Sequence, residues 1–183
     1  VHLGRRSGGP LADRPAALWA TLDSADRGAW LGRALLVEDL DGDGRAEVIA
    51  GQARHDSGSG DRHGAVRILQ LPEPPVRVRD AASDAVWSYV HEGSFDEAGS
   101  ALALLGSGPD RSLLVGAPGD EVDGGPTGAG VVLAFDIPGA VPSAAPRVLA
   151  SGAAAGDRAG VALAAGAGAA ATFAGRDDRY GAD

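Results

Sequence analysis

Nine residues, Asp39-Leu40-Asp41-Gly42-Asp43-Gly44-Arg45-Ala46-Glu47, carry the most distinctive chemistry in this 183-residue chain. Acidic side chains stand at positions 1, 3, 5 and 9 of the stretch. Hard cations such as Ca²⁺ take about six to eight oxygen ligands, and alternating carboxylates on a tight loop supply several at once. Gly42 and Gly44 allow the tight backbone turns that aim those carboxylates inward. An EF-hand would place a bidentate Glu at its twelfth position, which here is Ala50, so that pattern fails. The flanks, Ala34–Val37 before the loop and Val48–Ala50 after it, are short apolar runs that read as strands. The stretch is therefore expected to be a strand–loop–strand calcium site. The alternative, an acidic turn that binds nothing, leaves four carboxylates crowded together with no cation to offset their repulsion.

Other reactive chemistry is sparse. There is no Cys and no Gly-x-Ser-x-Gly motif, and the four His (His2, His55, His63, His91) are scattered. His55, Asp56, Asp61 and His63 have the side chains of a transition-metal site, but a spacing of eight between the two His across a flexible loop is weak support. Acidic pairs such as Asp96 with Glu97, or Asp120 with Asp123, are of the type used in glycoside hydrolysis; nothing in the sequence fixes their separation. They read as solvated loop charges. Gly166-Ala-Gly168-Ala-Ala-Ala171 imitates a dinucleotide fingerprint, without the following helix, strand and acidic ribose ligand that such a site needs. No catalytic residue is expected.

The elements that must hold the acidic loop recur along the chain. Gly32, Gly99 and Gly160 lie 67 and 61 residues apart, close to one third of the length. A second Gly follows each after 19 (Gly51), 17 (Gly116) and 15 (Gly175) residues, and the longest step belongs to the copy with the acidic loop. Strand candidates precede each copy, at Ala17–Leu22, Val86–Val90 and Arg147–Ala150, and Gly-led runs follow two of them, at Gly64–Leu69 and Gly130–Phe135. Such fixed-period self-similarity marks an array of supersecondary units. Four short strands per unit fit the blade of a propeller. The units fall at approximately 17–69, 86–135 and 147–183, with Pro-rich connections at 71–75 and 137–146. Nothing in 1–183 reads as a separate domain.

These copies resemble the FG-GAP repeats of integrin alpha-chain propellers. The first has Trp30-Leu31-Gly32, the acidic loop, Ala50-Gly51-Gln52-Ala53 and Gly64–Leu69. The second has Ala98-Gly99-Ser100, then Leu113-Leu114-Val115-Gly116-Ala117-Pro118, a literal Gly-Ala-Pro, then Gly130–Phe135. A weaker third has Ala159-Gly160-Val161 and Phe173-Ala174-Gly175-Arg176. The resemblance implies an all-β fold: a partial beta-propeller of about three four-stranded blades in an open arc. It implies Ca²⁺ held by the side chains of Asp39, Asp41, Asp43 and Glu47 and the carbonyl of Arg45. The metal would be lost from the second copy, where Leu105–Asp110 keeps one acid, and from the third, where Ala165–Thr172 keeps none.

The same resemblance implies a non-catalytic, calcium-stabilised binding or adhesion module, secreted or at the cell surface, with a protein or glycan ligand. Partner binding is expected on the 53–63 and 118–128 loops, opposite the calcium loop. The alternative is the propeller part of a secreted enzyme acting on polysaccharide or phosphoester, with its catalytic residues elsewhere. Val1-His2-Leu3 stands 18 residues before Trp19, much as Arg67 stands 20 before Trp87, and so reads as the tail of a third strand. The last unit stops before its own Gly-led strand. The array is thus expected to be truncated at both ends, continuing into further blades of a longer chain.

A net charge of −9 and a sequence pI near 4.8 argue against nucleic acid and anionic membrane surfaces as partners. With 29 Gly and 4% aromatic residues, closely packed sheets are favoured over a large aromatic core. Val161–Gly175, the longest uncharged stretch, is too short and too weakly apolar to span a membrane.

Overall fold

The computed structural model describes residues 2–4, 18–21, 23–58, 60–70, 76–77, 80–122, 124–166 and 169–173. The fold is all-β: among these residues the regular structure is thirteen strands and one short 3-10 turn, Gly108–Asp110. The strands are β1 (His2–Gly4), β2 (Leu18–Thr21), β3 (Leu31–Glu38), β4 (Glu47–Gln52), β5 (Ala65–Gln70), β6 (Val76–Arg77) and β7 (Trp87–Val90). They continue with β8 (Ala101–Leu105), β9 (Ser112–Ala117), β10 (Val131–Asp136), β11 (Arg147–Ser151), β12 (Ala162–Gly166) and β13 (Ala169–Phe173). No helix among the described residues is long and apolar enough to cross a membrane.

Two four-stranded antiparallel sheets share one plan, β3-β4-β5-β7 and β8-β9-β10-β11. A hairpin, β12-β13, begins the same plan again, and β1-β2-β6 make a smaller sheet in which β1 and β2 run antiparallel. β1 and β2 therefore pair as β5 with β7 and β10 with β11 do.

The units are phased one strand later than the sequence suggests. The strands at 87–90 and 147–151, expected to open a unit, each close the sheet before them. The reason lies in the alternation of β7. Trp87 and Tyr89 point to one face and meet Phe135 edge-on, at ring-centroid distances of 5.3 and 4.8 Å. Pairing with β5 also satisfies its backbone and covers an edge that would otherwise be open. Gly175 and the 71–75 connection lie outside the described residues.

Period-2 alternation splits each central strand between two cores. Leu113, Val115 and Ala117 of β9, with Val131, Leu133 and Phe135 of β10, face the first sheet and pack with Ile49, Val66, Ile68 and Leu40. Leu114, Val132 and Ala134 face the other way, towards Leu163 and Ala165 of the hairpin. Phe135 is fully buried, and truncating such a side chain to Ala costs about 3–5 kcal/mol.

Glycine lets the sheets approach. A Cβ on Gly51 would lie 2.1 Å from the Gly99 carbonyl oxygen, and one on Gly116 would lie 1.9 Å from that of Gly160. Gly32, Gly99 and Gly160 take equivalent left-handed conformations (φ 82°, 88° and 87°), and the residues two before them, Trp30, Glu97 and Arg158, share φ of 58°, 55° and 54°. The sequence period is thus a backbone period.

Candidate metal centre

The acidic loop joins β3 to β4, two adjacent strands whose register runs through Glu38↔Glu47 at the mouth of the loop. Leu40 turns inward and is buried in the core between the sheets, so the acidic positions on either side of it are left on the loop's outer surface. Gly42 and Gly44 have φ of 79° and 87°, conformations that cost an L side chain free energy and a glycine almost none. The carboxylates of Asp39, Asp41 and Asp43 converge, with one oxygen from each lying within 4.8 Å of the others. They also order the loop itself. Asp39 accepts from the Gly42 and Gly44 N–H groups (2.7 and 2.9 Å), Asp41 from Asp43 N–H (3.1 Å) and Asp43 from Arg45 N–H (2.8 Å).

Glu47 is the first residue of β4 and is 2% exposed. Its Oε2 accepts the Leu40 N–H at 2.8 Å, while its Oε1 is buried with no hydrogen-bond partner among the described residues. Burial pushes its carboxyl above the usual range; the Leu40 N–H works against that, and the charges of Asp41, Asp43 and Asp39 add to it. Asp41 and Glu47 line one shallow cavity with Gln70, Val86, Ala140 and Val141. The Arg45 side chain is exposed. The structure therefore brings three of the expected side chains together, while Glu47 stands outside that group of three. Glu47 Oε1 is thus a buried oxygen without a hydrogen-bond partner among the described residues, at the end of the loop that carries three converging carboxylates.

A neighbour supports the loop from outside. Arg111, just before β9, donates from Nη1 to the Asp39 carbonyl at 3.2 Å and from Nη2 to the Leu40 carbonyl. The second sheet thus grips the backbone of the first sheet's acidic loop.

At the other end of the sheets the 53–63 and 118–128 loops adjoin the segment between β7 and β8. Phe95 N–H donates to the Asp61 carbonyl (2.6 Å) and Gly119 N–H to that of Asp96 (3.0 Å). His55 and His63 do not form a common site. His55 Nδ1 meets Asp26 at 2.9 Å, and His63 Nδ1 meets the Gly93 carbonyl at 2.8 Å. Asp123 lies outside the described residues.

Asp96 and Asp120 are not the solvated charges expected of them. Asp96 is buried, and one oxygen of each lies 3.1 Å from His91 Nε2. His91 Nδ1 is 2.7 Å from the Tyr89 hydroxyl. Burial alone would lower the His91 pKa, but Asp120 and Asp96 outweigh it and hold it up at about 9. Burial, with Asp120, Glu92 and Asp96 adding, pushes Tyr89 up to about 12. A signal was available: Trp87, Tyr89 and His91 alternate, which places His91 on the face of two core aromatics.

No protein-family model matches the chain, and no curated protein sequence matches it either.

Proposed function

We propose that this chain is a calcium-stabilised binding module built as a partial propeller of the FG-GAP kind, without catalysis of its own. One observation carries the calcium reading: Glu47 Oε1 is buried without a hydrogen-bond partner among the described residues, and Glu47 feels the charges of the three converging carboxylates, Asp39, Asp41 and Asp43. At neutral pH an ionised carboxylate there is costly unless a cation sits against it. Asp39, Asp41, Asp43 and Glu47 would hold the ion with their side chains, and Arg45 with its carbonyl. The ion would supply charge neutralisation and a rigid loop. The role is structural because the site lies on a loop that the second sheet already grips through Arg111.

The propeller reading is supported by the repeated four-strand plan and by sheets stacked through Gly51–Gly99 and Gly116–Gly160 contacts. Long loops on such a scaffold are the usual place for partner contacts, which points to the 53–63 and 118–128 loops for a protein or glycan ligand outside the cell. Thermal melting tests the reading. At calcium about ten times the dissociation constant, wild type should gain roughly 1.4 kcal/mol over chelator-treated protein. Asp41→Ala should gain nothing; a gain equal to wild type would overturn the assignment.

A further inference from the structure

We propose that His91, Asp96 and Asp120 form a second divalent-cation site, suited to Zn²⁺, which ties the first four-stranded sheet to the second. It is independent of the calcium loop and lies at the opposite end of the sheets. Its three members come from the end of β7, the segment crossing to β8, and the loop after β9. A cation held by all three would therefore pin three chain segments at once.

The donor set and its spacing carry the proposal. One imidazole nitrogen with two carboxylate oxygens is a zinc-type set, whereas Ca²⁺ and Mg²⁺ take oxygen alone. His91 Nε2 is equidistant, at 3.1 Å, from Asp96 Oδ2 and Asp120 Oδ2. Tetrahedral Zn²⁺ with bonds of roughly 2.0–2.1 Å sets neighbouring ligand atoms about 3.3 Å apart, close to the two 3.1 Å separations here, and all three ligand atoms lie within 4.8 Å of one another.

Asp96 supplies an independent sign. Its side chain is 6% exposed, and its Oδ2, though 3.1 Å from the imidazole nitrogen, accepts no hydrogen bond among the described residues. A single N–H shared between two oxygens makes at best a bifurcated, weaker bond to each, whereas a cation between the three atoms serves both fully. Gly93 leaves room for that oxygen, since a Cβ there would lie 1.8 Å from it.

The outer partner is also in place. A metal-bound His usually has its second ring nitrogen fixed by an oxygen, which sets the tautomer and ring orientation. Here Tyr89 Oη sits 2.7 Å from His91 Nδ1, and the Tyr89 ring is wedged against Phe135 at 4.8 Å. Tyr89 is thus a positioning residue. Three protein ligands leave a fourth position for water.

The test is calorimetric titration of ZnCl₂ into the full chain with calcium in excess, to keep the acidic loop out of the measurement. Wild type should bind one equivalent. Asp120→Asn should weaken binding more than the roughly 10–100-fold that loss of an outer partner costs, and Tyr89→Phe should weaken it within that range. Asp41→Ala should bind zinc as wild type does. Co²⁺-loaded protein should show the visible absorption of a four-coordinate ion, which Tyr89→Phe shifts; this readout stands even where Asp120→Asn fails to fold. No zinc binding by wild type would mean that His91 is simply an imidazolium held between two carboxylates, and would overturn the proposal. So would zinc binding that survives Asp120→Asn and Tyr89→Phe unchanged but is lost in a His55→Ala/His63→Ala variant.

Discussion

The β3–β4 and β8–β9 loops occupy the same place in the same four-stranded plan, yet their chemistry is opposed. The first carries Asp39, Asp41 and Asp43, with a buried Glu47. The second is a 3-10 turn over Gly108–Asp110 that ends at Arg111. The decisive position is the first residue of the second strand in each sheet. In β4 it is Glu47, paired across the sheet with Glu38 and Gln70; in β9 it is Ser112, paired with Leu105 and Asp136. Ser112 is buried too, but its hydroxyl donates to Asp136 at 2.8 Å and needs nothing further. Glu47 has an oxygen without a hydrogen-bond partner among the described residues. The strand frame is thus common to both sheets, while a buried carboxylate at the start of the second strand is found in the first sheet and a hydroxyl in the second. Arg111 connects the two loops, since the second copy donates its guanidinium to the carbonyls of the acidic one.

The common frame gives the largest expected effect. Gly51→Ala and Gly116→Ala each drive a Cβ into a backbone carbonyl of the next sheet and should destabilise by about 3 kcal/mol, or prevent folding. Chemical denaturation checks this, and a tolerated Ala at either position would mean that the sheets do not stack as described. Asp41→Ala comes next, removing the roughly 1.4 kcal/mol of calcium stabilisation while leaving the chelator-treated melting temperature nearly unchanged.

Glu47→Gln sharpens the comparison, because its effect should change sign. It removes a buried charge with three like charges near it, so in chelator the variant should be about 1 kcal/mol more stable than wild type. In saturating calcium it should be less stable than wild type. Arg111→Ala should cost about 1 kcal/mol through the lost carbonyl hydrogen bonds and weaken calcium binding modestly. Smallest of all, Asp110→Asn in the β8–β9 loop should stay within about 0.5 kcal/mol with or without calcium.

Much of this was legible in the sequence because it is local. The acidic spacing from Asp39 to Glu47, the glycines at 32, 99 and 160, and the apolar runs beside them each lie in one short window. The phase of the units was not legible. Trp87–Val90 stands between two sheets and could close one or open the next, and only pairing with β5 and packing against Phe135 decides. The burial of Glu47 was hidden as well, because it depends on Leu40 folding inward and on β5 covering β4. His91, Asp96 and Asp120 come from segments brought together by sheet stacking, and no spacing rule joins them.

Titration of calcium into chelator-treated protein, followed by heat, addresses the central contrast between the two loops most directly. A single equivalent should bind with a dissociation constant of about 10⁻⁴–10⁻³ M, and Asp41→Ala should abolish that heat. Two or more equivalent sites, or no binding at millimolar calcium, would contradict it.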